Sequence, residues 1–276
     1  MASPRPLSFD ANLKILSLWA RHIFSIAISK PRRFIAFLPP LPGRQMLLDL
    51  RSGRRLEIRL RTINDWCTAK QVFFDNDYGF EKLARGGDLN RRFDEIVESG
   101  HSPLILDCGG NIGLAARFFA ETYPQAEIVS IEPDRDNIEQ AKINTATTKV
   151  TTIEAAIASN DGNGTLIDPG LGNNGYRVHE SADGAVRLIS VNTLIADARA
   201  KKCVPFLIKI DIEGFESELF SKNTEWIEAF PILIIELHDW MLPKTANAAN
   251  FLKTISQLNR DFVFHGENVF SIANDF

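Results

Sequence analysis

The stretch Leu104-Ile105-Leu106-Asp107-Cys108-Gly109-Gly110-Asn111-Ile112-Gly113 decides the fold. A short apolar run ends in an acid, and three glycines follow within five positions. This pattern predicts a buried strand, a tight turn and the first turn of a helix. Residues 114–123 are rich in Ala and Phe and helical in pattern, and residues 127–131 read as a second strand that ends in Glu132-Pro133. A strand–helix–strand unit with its glycines at the carboxyl end of the first strand is where open α/β sheets bind nucleotide-like ligands.

A side chain at Gly109, Gly110 or Gly113 would hold a ligand away from the backbone, and glycine also permits positive φ. Glu132, at the tip of the neighbouring strand, offers a carboxylate to the two hydroxyls of a ribose, and Pro133 is grouped with it. Together these features point to a cofactor containing adenosine. Two cofactors compete. The dinucleotide fingerprint is G-x-G-x-x-G, with a helix amino end aimed at a pyrophosphate. Here an acid, Asp107, precedes the glycines. It would repel a pyrophosphate and suits the amine and sulfonium of S-adenosylmethionine, which is therefore favoured over NAD. A packed turn with no ligand is the third reading.

Downstream, residues 205–213 read as the fourth core strand. Ile208, Ile210 and Ile212 share one face, and Lys209, Asp211 and Glu213 share the other. Central parallel strands are usually apolar on both faces. Three ionisable groups on one face therefore need partners or a polar cleft. Residues 231–238 read as the fifth strand, with Glu236 and His238 on a common face. If these strands are neighbours, five titratable groups converge at their carboxyl ends. Residues 262–265 and 268–272 then form a closing hairpin around Gly266-Glu267.

Upstream, residues 11–29 predict a helix stopped by Pro31. Lys14, Arg21 and His22 make its apolar run too short to span a bilayer. It packs on the protein body or on another subunit, or lies on a membrane surface with help from Lys30, Arg32 and Arg33. Pro39, Pro40, Pro42 and Gly43 read as a linker, residues 45–50 and 54–60 as a β-hairpin, and residues 65–74 and 89–98 as helices. Further expected elements are a helix over 136–144, a strand over 150–154, a short strand over 165–167, a long loop over 168–184, a strand over 187–191, and helices over 194–200, 215–220 and 247–259. The expected organisation is a helix and linker over 1–44, a cap segment over 45–100, and the catalytic domain over 101–276.

With 276 residues the chain can hold one large α/β domain plus an extension. Its net charge of −4 gives no argument for a nucleic-acid partner. Cys67, Cys108 and Cys203 are scattered, which fits reduced thiols in a cytoplasmic protein better than a disulfide framework or zinc site.

The chain resembles class I S-adenosylmethionine methyltransferases, and more narrowly the FkbM family. The resemblance rests on residues 106–113, on Ile131-Glu132-Pro133-Asp134, on Ile208-Lys209-Ile210-Asp211-Ile212-Glu213-Gly214-Phe215-Glu216, and on Ile235-Glu236-Leu237-His238. It covers roughly residues 70–240, and the last two blocks are the most particular to the family. Gly110 departs from it, since relatives often carry alanine there. The resemblance implies a Rossmann-like, doubly wound, seven-stranded and mostly parallel α/β sheet with an antiparallel last strand, here preceded by an N-terminal helical and β-hairpin extension. It also implies O-methylation of a hydroxyl on a sugar, glycolipid or natural product. Asp107, Gly109 and Gly113 would line the methionine end of the cofactor, with Gly110 in the same turn, and Asn111 would order that loop. Glu132 would hold the ribose, Ala155 and Ala156 would lie near the adenine, and Asp211 would stand at the methyl-transfer end.

An alcohol is a poor nucleophile, so a base within reach of its proton is expected. His238 is the first candidate, because its ordinary pKa lies near working pH. Asp211 is second, and Glu213 and Glu236 complete the catalytic group. Lys209 is expected to pair with Asp211 or Glu236. A divalent metal held by Asp211, Glu213, Glu236 or His238 is an alternative, not favoured because the spacing is no metal signature by itself. The competing functions are an NAD(P)-dependent oxidoreductase and a non-enzymatic docking protein that uses the N-terminal helix.

Overall fold

The computed structural model describes residues 33–36, 43–167, 177–181 and 183–276, together with 13, 14, 16, 17 and 19–21. The chain divides into two compact units, Met1–Asp77 and Tyr78–Phe276, so the boundary falls inside the expected cap segment.

In the first unit, strands β1 (Phe34–Ile35), β2 (Arg44–Asp49) and β3 (Arg55–Arg59) form an antiparallel sheet in that order. The alternation read from the sequence has a direct cause, since Leu47, Leu56 and Ile58 are buried on one face. Strand β1 had no signal in the sequence reading. Thr62 and Asp65 form a reciprocal capping box at the start of the helix Ile63–Ala69, which runs on into a π-helical turn, Lys70–Asp75, and stops at Asn76 in the left-handed region. Arg33, one of the basic residues considered for a lipid surface, binds both carboxylate oxygens of buried Asp49 at 3.1 and 3.2 Å. The described positions of the expected N-terminal helix are helical, and Trp19 donates to the Ala36 carbonyl at 3.0 Å. Lys30, Arg32, Pro39, Pro40 and Pro42 lie outside the described residues. Among the described residues no helix is long and apolar enough to cross a membrane.

The second unit is built on β4 (Ser102–Cys108), β5 (Glu127–Glu132), β6 (Val150–Glu154), β7 (Ala156–Ala158), β8 (Gly162–Ile167), β9 (Arg177–Glu180), β10 (Val186–Ser190), β11 (Cys203–Ile210), β12 (Ile232–Glu236), β13 (Arg260–His265) and β14 (Asn268–Ala273). Seven of these make one sheet in the order β13-β14-β12-β11-β4-β5-β6. The five from β12 to β6 are parallel, and β14 runs antiparallel to both of its neighbours. This is the Rossmann-like, mostly parallel sheet with an antiparallel last strand. The helices Leu114–Thr122 and Arg135–Thr145 make the crossovers around β5. Strands β7 to β10 form a second, smaller sheet in the order β7-β10-β8-β9. It replaces part of the loop expected over 168–184, of which 168–176 and 182 lie outside the described residues.

Two registers place the site. Strand β4 lies beside β11, with Asp107 opposite Lys209, and β11 lies beside β12, with Ile210 opposite Ile235. Strand β11 stops at Ile210, three residues short of the expected end, because Glu213 and Gly214 take positive φ of 53° and 99°. The helix expected over 247–259 is also shorter, Ala249–Ile255. All three cysteines are free, and only Cys67 is exposed.

Candidate active site

The three glycines of the turn each lie against another part of the chain. A Cβ at Gly109 would sit 1.7 Å from the Asp211 carbonyl oxygen, and Gly109 has φ of 80°. At Gly110 it would meet the Ser130 hydroxyl at 2.0 Å, and at Gly113 the Ala141 backbone and side chain at 3.0 Å. The chain's own close approach is thus a physical reason for these glycines beside the expected one, and Gly109 and Gly113 also take the positive φ that glycine permits. The helix Arg135–Thr145 completes the clamp. Asn144 donates to the Ile112 carbonyl at 2.8 Å, and Arg117 binds both the Asn144 carbonyl and Glu121.

Asp107 is fully buried. Its Oδ2 accepts from the Ser130 hydroxyl at 3.0 Å, and its Oδ1 lies 3.2 Å from the Lys209 ammonium. Its charge is therefore balanced within the protein. Lys209 also donates to the Gly109 carbonyl at 2.8 Å and lies 3.3 Å from Asp211 Oδ2. Burial works against its charge, but Asp107 and Asp211 outweigh it and hold the ammonium well above its ordinary pKa. Of the two expected partners for Lys209, Asp211 is the one it has.

Glu132 stands at the carboxyl end of β5. Its Oε2 accepts from the Asn111 amide at 2.8 Å, and its Oε1 from the Asp134 amide at 3.0 Å and the Asn137 side chain at 3.3 Å. Burial raises its pKa to about 7 despite these donors. Pro133 follows it, half-buried. Ala155 and Ala156 are buried at the break between β6 and β7, where the Ala155 amide donates to the Glu132 carbonyl.

Asp211, Glu213 and His238, just beyond the ends of β11 and β12, come together with Glu236, the last residue of β12. His238 is 1 % exposed, and its Nε2 lies 3.5 Å from Asp211 Oδ1, 3.6 Å from Glu236 Oε1 and 3.7 Å from Glu213 Oε2. Its Nδ1 is 2.6 Å from Oε1 of wholly buried Glu216, whose Oε2 accepts from Asn247. Burial opposes the imidazolium, but the Glu216 hydrogen bond and the charges of Asp211, Glu216 and Glu213 push its pKa to about 9. Burial, then Asp211, raises Glu213 to about 7 and Glu236 to about 8.

Glu216 and Tyr78 escaped the sequence reading as site residues. Glu216 lies in the quoted block, three positions after Glu213, and that spacing was its only signal. Tyr78 is buried against Phe118 and Phe119, and its phenol feels the charges of Lys209, Asp211, Asp107 and Glu236.

The chain is similar to several known proteins. Hexuronic acid methyltransferase AglP of Haloferax volcanii is 24% identical over 192 residues, covering 66% of this chain and 78% of that protein. Among solved structures, monomeric WbdD superposes with a TM-score of 0.39 at 12% identity, over 73% of this chain and 43% of that one. A methyltransferase from Geobacter sulfurreducens gives a TM-score of 0.35 at 14% identity, over 75% of this chain and 87% of that one. The family model of the methyltransferase FkbM domain matches residues 107–264, from the acid of the glycine turn into β13. That match spans more than half of the 276 residues, and the chain belongs to the FkbM family of methyltransferases.

Proposed function

We propose that this methyltransferase moves the methyl group of S-adenosylmethionine to a hydroxyl of a sugar or sugar-like acceptor. The observation that carries the reading is the junction at Lys209. One ammonium ties the glycine turn, through Gly109 and Asp107, to Asp211 of the carboxylate–imidazole cluster. The turn and Glu132 take the cofactor, and the cluster takes the hydroxyl. The similarity to AglP makes a hexuronic acid the first acceptor to try.

Methyl transfer is an in-line displacement. The acceptor oxygen forms the new C–O bond, the C–S electron pair returns to sulfur, and the hydroxyl proton passes to the cluster. The protein must hold the oxygen about 3–3.5 Å from the methyl carbon and keep water out. The groups of the cluster that can receive it are His238 Nε2 and the carboxylates of Asp211, Glu213 and Glu236 around it.

Calorimetry with S-adenosylhomocysteine and with NAD tests the cofactor. Micromolar binding of NAD alone rejects the reading. Incubation with labelled S-adenosylmethionine and hexuronate glycosides, followed by mass spectrometry, tests the acceptor. His238→Ala should cut turnover by about 10²-fold or more, while S-adenosylhomocysteine affinity stays within about threefold.

A further inference from the structure

The cluster beyond β11 and β12 is more than a group of acids. His238 is buried, and its Nδ1 is fixed by Glu216, which Asn247 holds in turn. The remaining ring nitrogen points at oxygens of Asp211, Glu213 and Glu236, 3.5 to 3.7 Å away, and makes no hydrogen bond among the described residues. One atom each from Asp211, Glu213 and His238 can be chosen within 4.8 Å of one another.

These separations are longer than hydrogen bonds and fall between the two spacings of ligand atoms around one ion. Oxygen and nitrogen atoms about 2.1 Å from an octahedral cation stand about 3.0 Å apart when adjacent and about 4.2 Å apart when opposed. The support behind His238 is also what metal-bound imidazoles require, since a carboxylate on the far ring nitrogen fixes the tautomer and aims the near one. Asp211 has one oxygen against Lys209 and turns the other to the cluster. Among the described residues Lys209 pairs with Asp211 and not with Glu213 or Glu236. Three carboxylates around one imidazole make a mostly oxygen donor set, which suits Mn²⁺, and Mg²⁺ less well because that ion favours oxygen over imidazole nitrogen.

We infer that Asp211, Glu213 and His238, with Glu236 beside them, bind one hard divalent cation of the Mn²⁺ or Mg²⁺ class. Resting on the proposed function, the cation takes the acceptor hydroxyl as a further ligand, which fixes its oxygen and makes its proton easier to remove.

The test uses the full chain, stripped with EDTA, desalted and titrated with MnCl₂. Free Mn²⁺ is read by electron paramagnetic resonance, and S-adenosylhomocysteine binding is measured on the same samples. One Mn²⁺ per chain is expected. Glu213→Gln and Glu236→Gln, both near-isosteric and half-buried, should each weaken Mn²⁺ binding about tenfold or more with S-adenosylhomocysteine affinity kept, and pulsed resonance should show nitrogen coupling from His238. No Mn²⁺ bound at millimolar concentration, or equal binding in wild type and both variants, overturns the inference. If S-adenosylhomocysteine still binds in that case, the methyltransferase reading stands. Mn²⁺ bound without any S-adenosylhomocysteine affinity supports the cation site and rejects the cofactor assignment instead.

Discussion

Gly110 and Ser130 share one small volume. A methyl group at Gly110 would collide with the Ser130 hydroxyl, which donates to Asp107. Gly110→Ala is therefore expected to cost about 1–3 kcal/mol in urea unfolding, as overpacking does. Ser130→Ala should recover most of that loss, and a strictly additive double mutant would refute the shared-volume account. Glu132 carries a pH dependence. Burial lifts its pKa from 4.5 to about 7 in the folded chain. The neutral form is the one that burial favours, so its contribution to stability is full below the ordinary carboxyl range and is lost as pH rises through about 7. Cofactor affinity has the opposite sign, because a ribose hydroxyl donates best to the ionised form. S-adenosylhomocysteine should bind up to about tenfold more weakly at pH 6 than at pH 8. Calorimetry at both values checks this, and Glu132→Gln should flatten the difference.

The glycine turn depends on the helix Arg135–Thr145, whose Asn144 reaches back to the Ile112 carbonyl. Asn144→Ala removes that donor and should cost about 1–3 kcal/mol of stability. It should also loosen cofactor binding by about tenfold while the Arg117 bond to the Asn144 backbone survives. Unchanged affinity by calorimetry would show that the turn holds its shape without the helix. The strands of the central sheet were legible because their apolar runs and flanking glycines are local signals. The convergence of Asp211, Glu213, Glu236 and His238 followed from strand parity once β11 and β12 were taken as neighbours. The early end of β11 was not legible, because Glu213 takes a left-handed conformation that its sequence does not advertise. Nor was the pairing of Glu216 with His238, since it joins the connections after two different strands, and no spacing along the chain encodes that distance.

The regions proposed for cofactor and acceptor both lie at the carboxyl ends of the parallel strands, so a ligand should quiet one side of the sheet only. Hydrogen–deuterium exchange with S-adenosylhomocysteine is expected to slow at residues 107–113, 130–137 and 209–214. The amino ends of β4, β5 and β11 should not respond, and protection spread evenly along these strands would contradict the placement. The clasp between the two regions is made by main chain. The Asp211 amide donates to the Cys108 carbonyl at 3.0 Å, and the Asp211 carbonyl fills the space that a side chain at Gly109 would need. The reach from donor to recipient is thus a property of the scaffold, as the gap of a vice is set by its frame. On the proposed assignment, a change of recipient calls for new side chains at the jaws and leaves the span untouched.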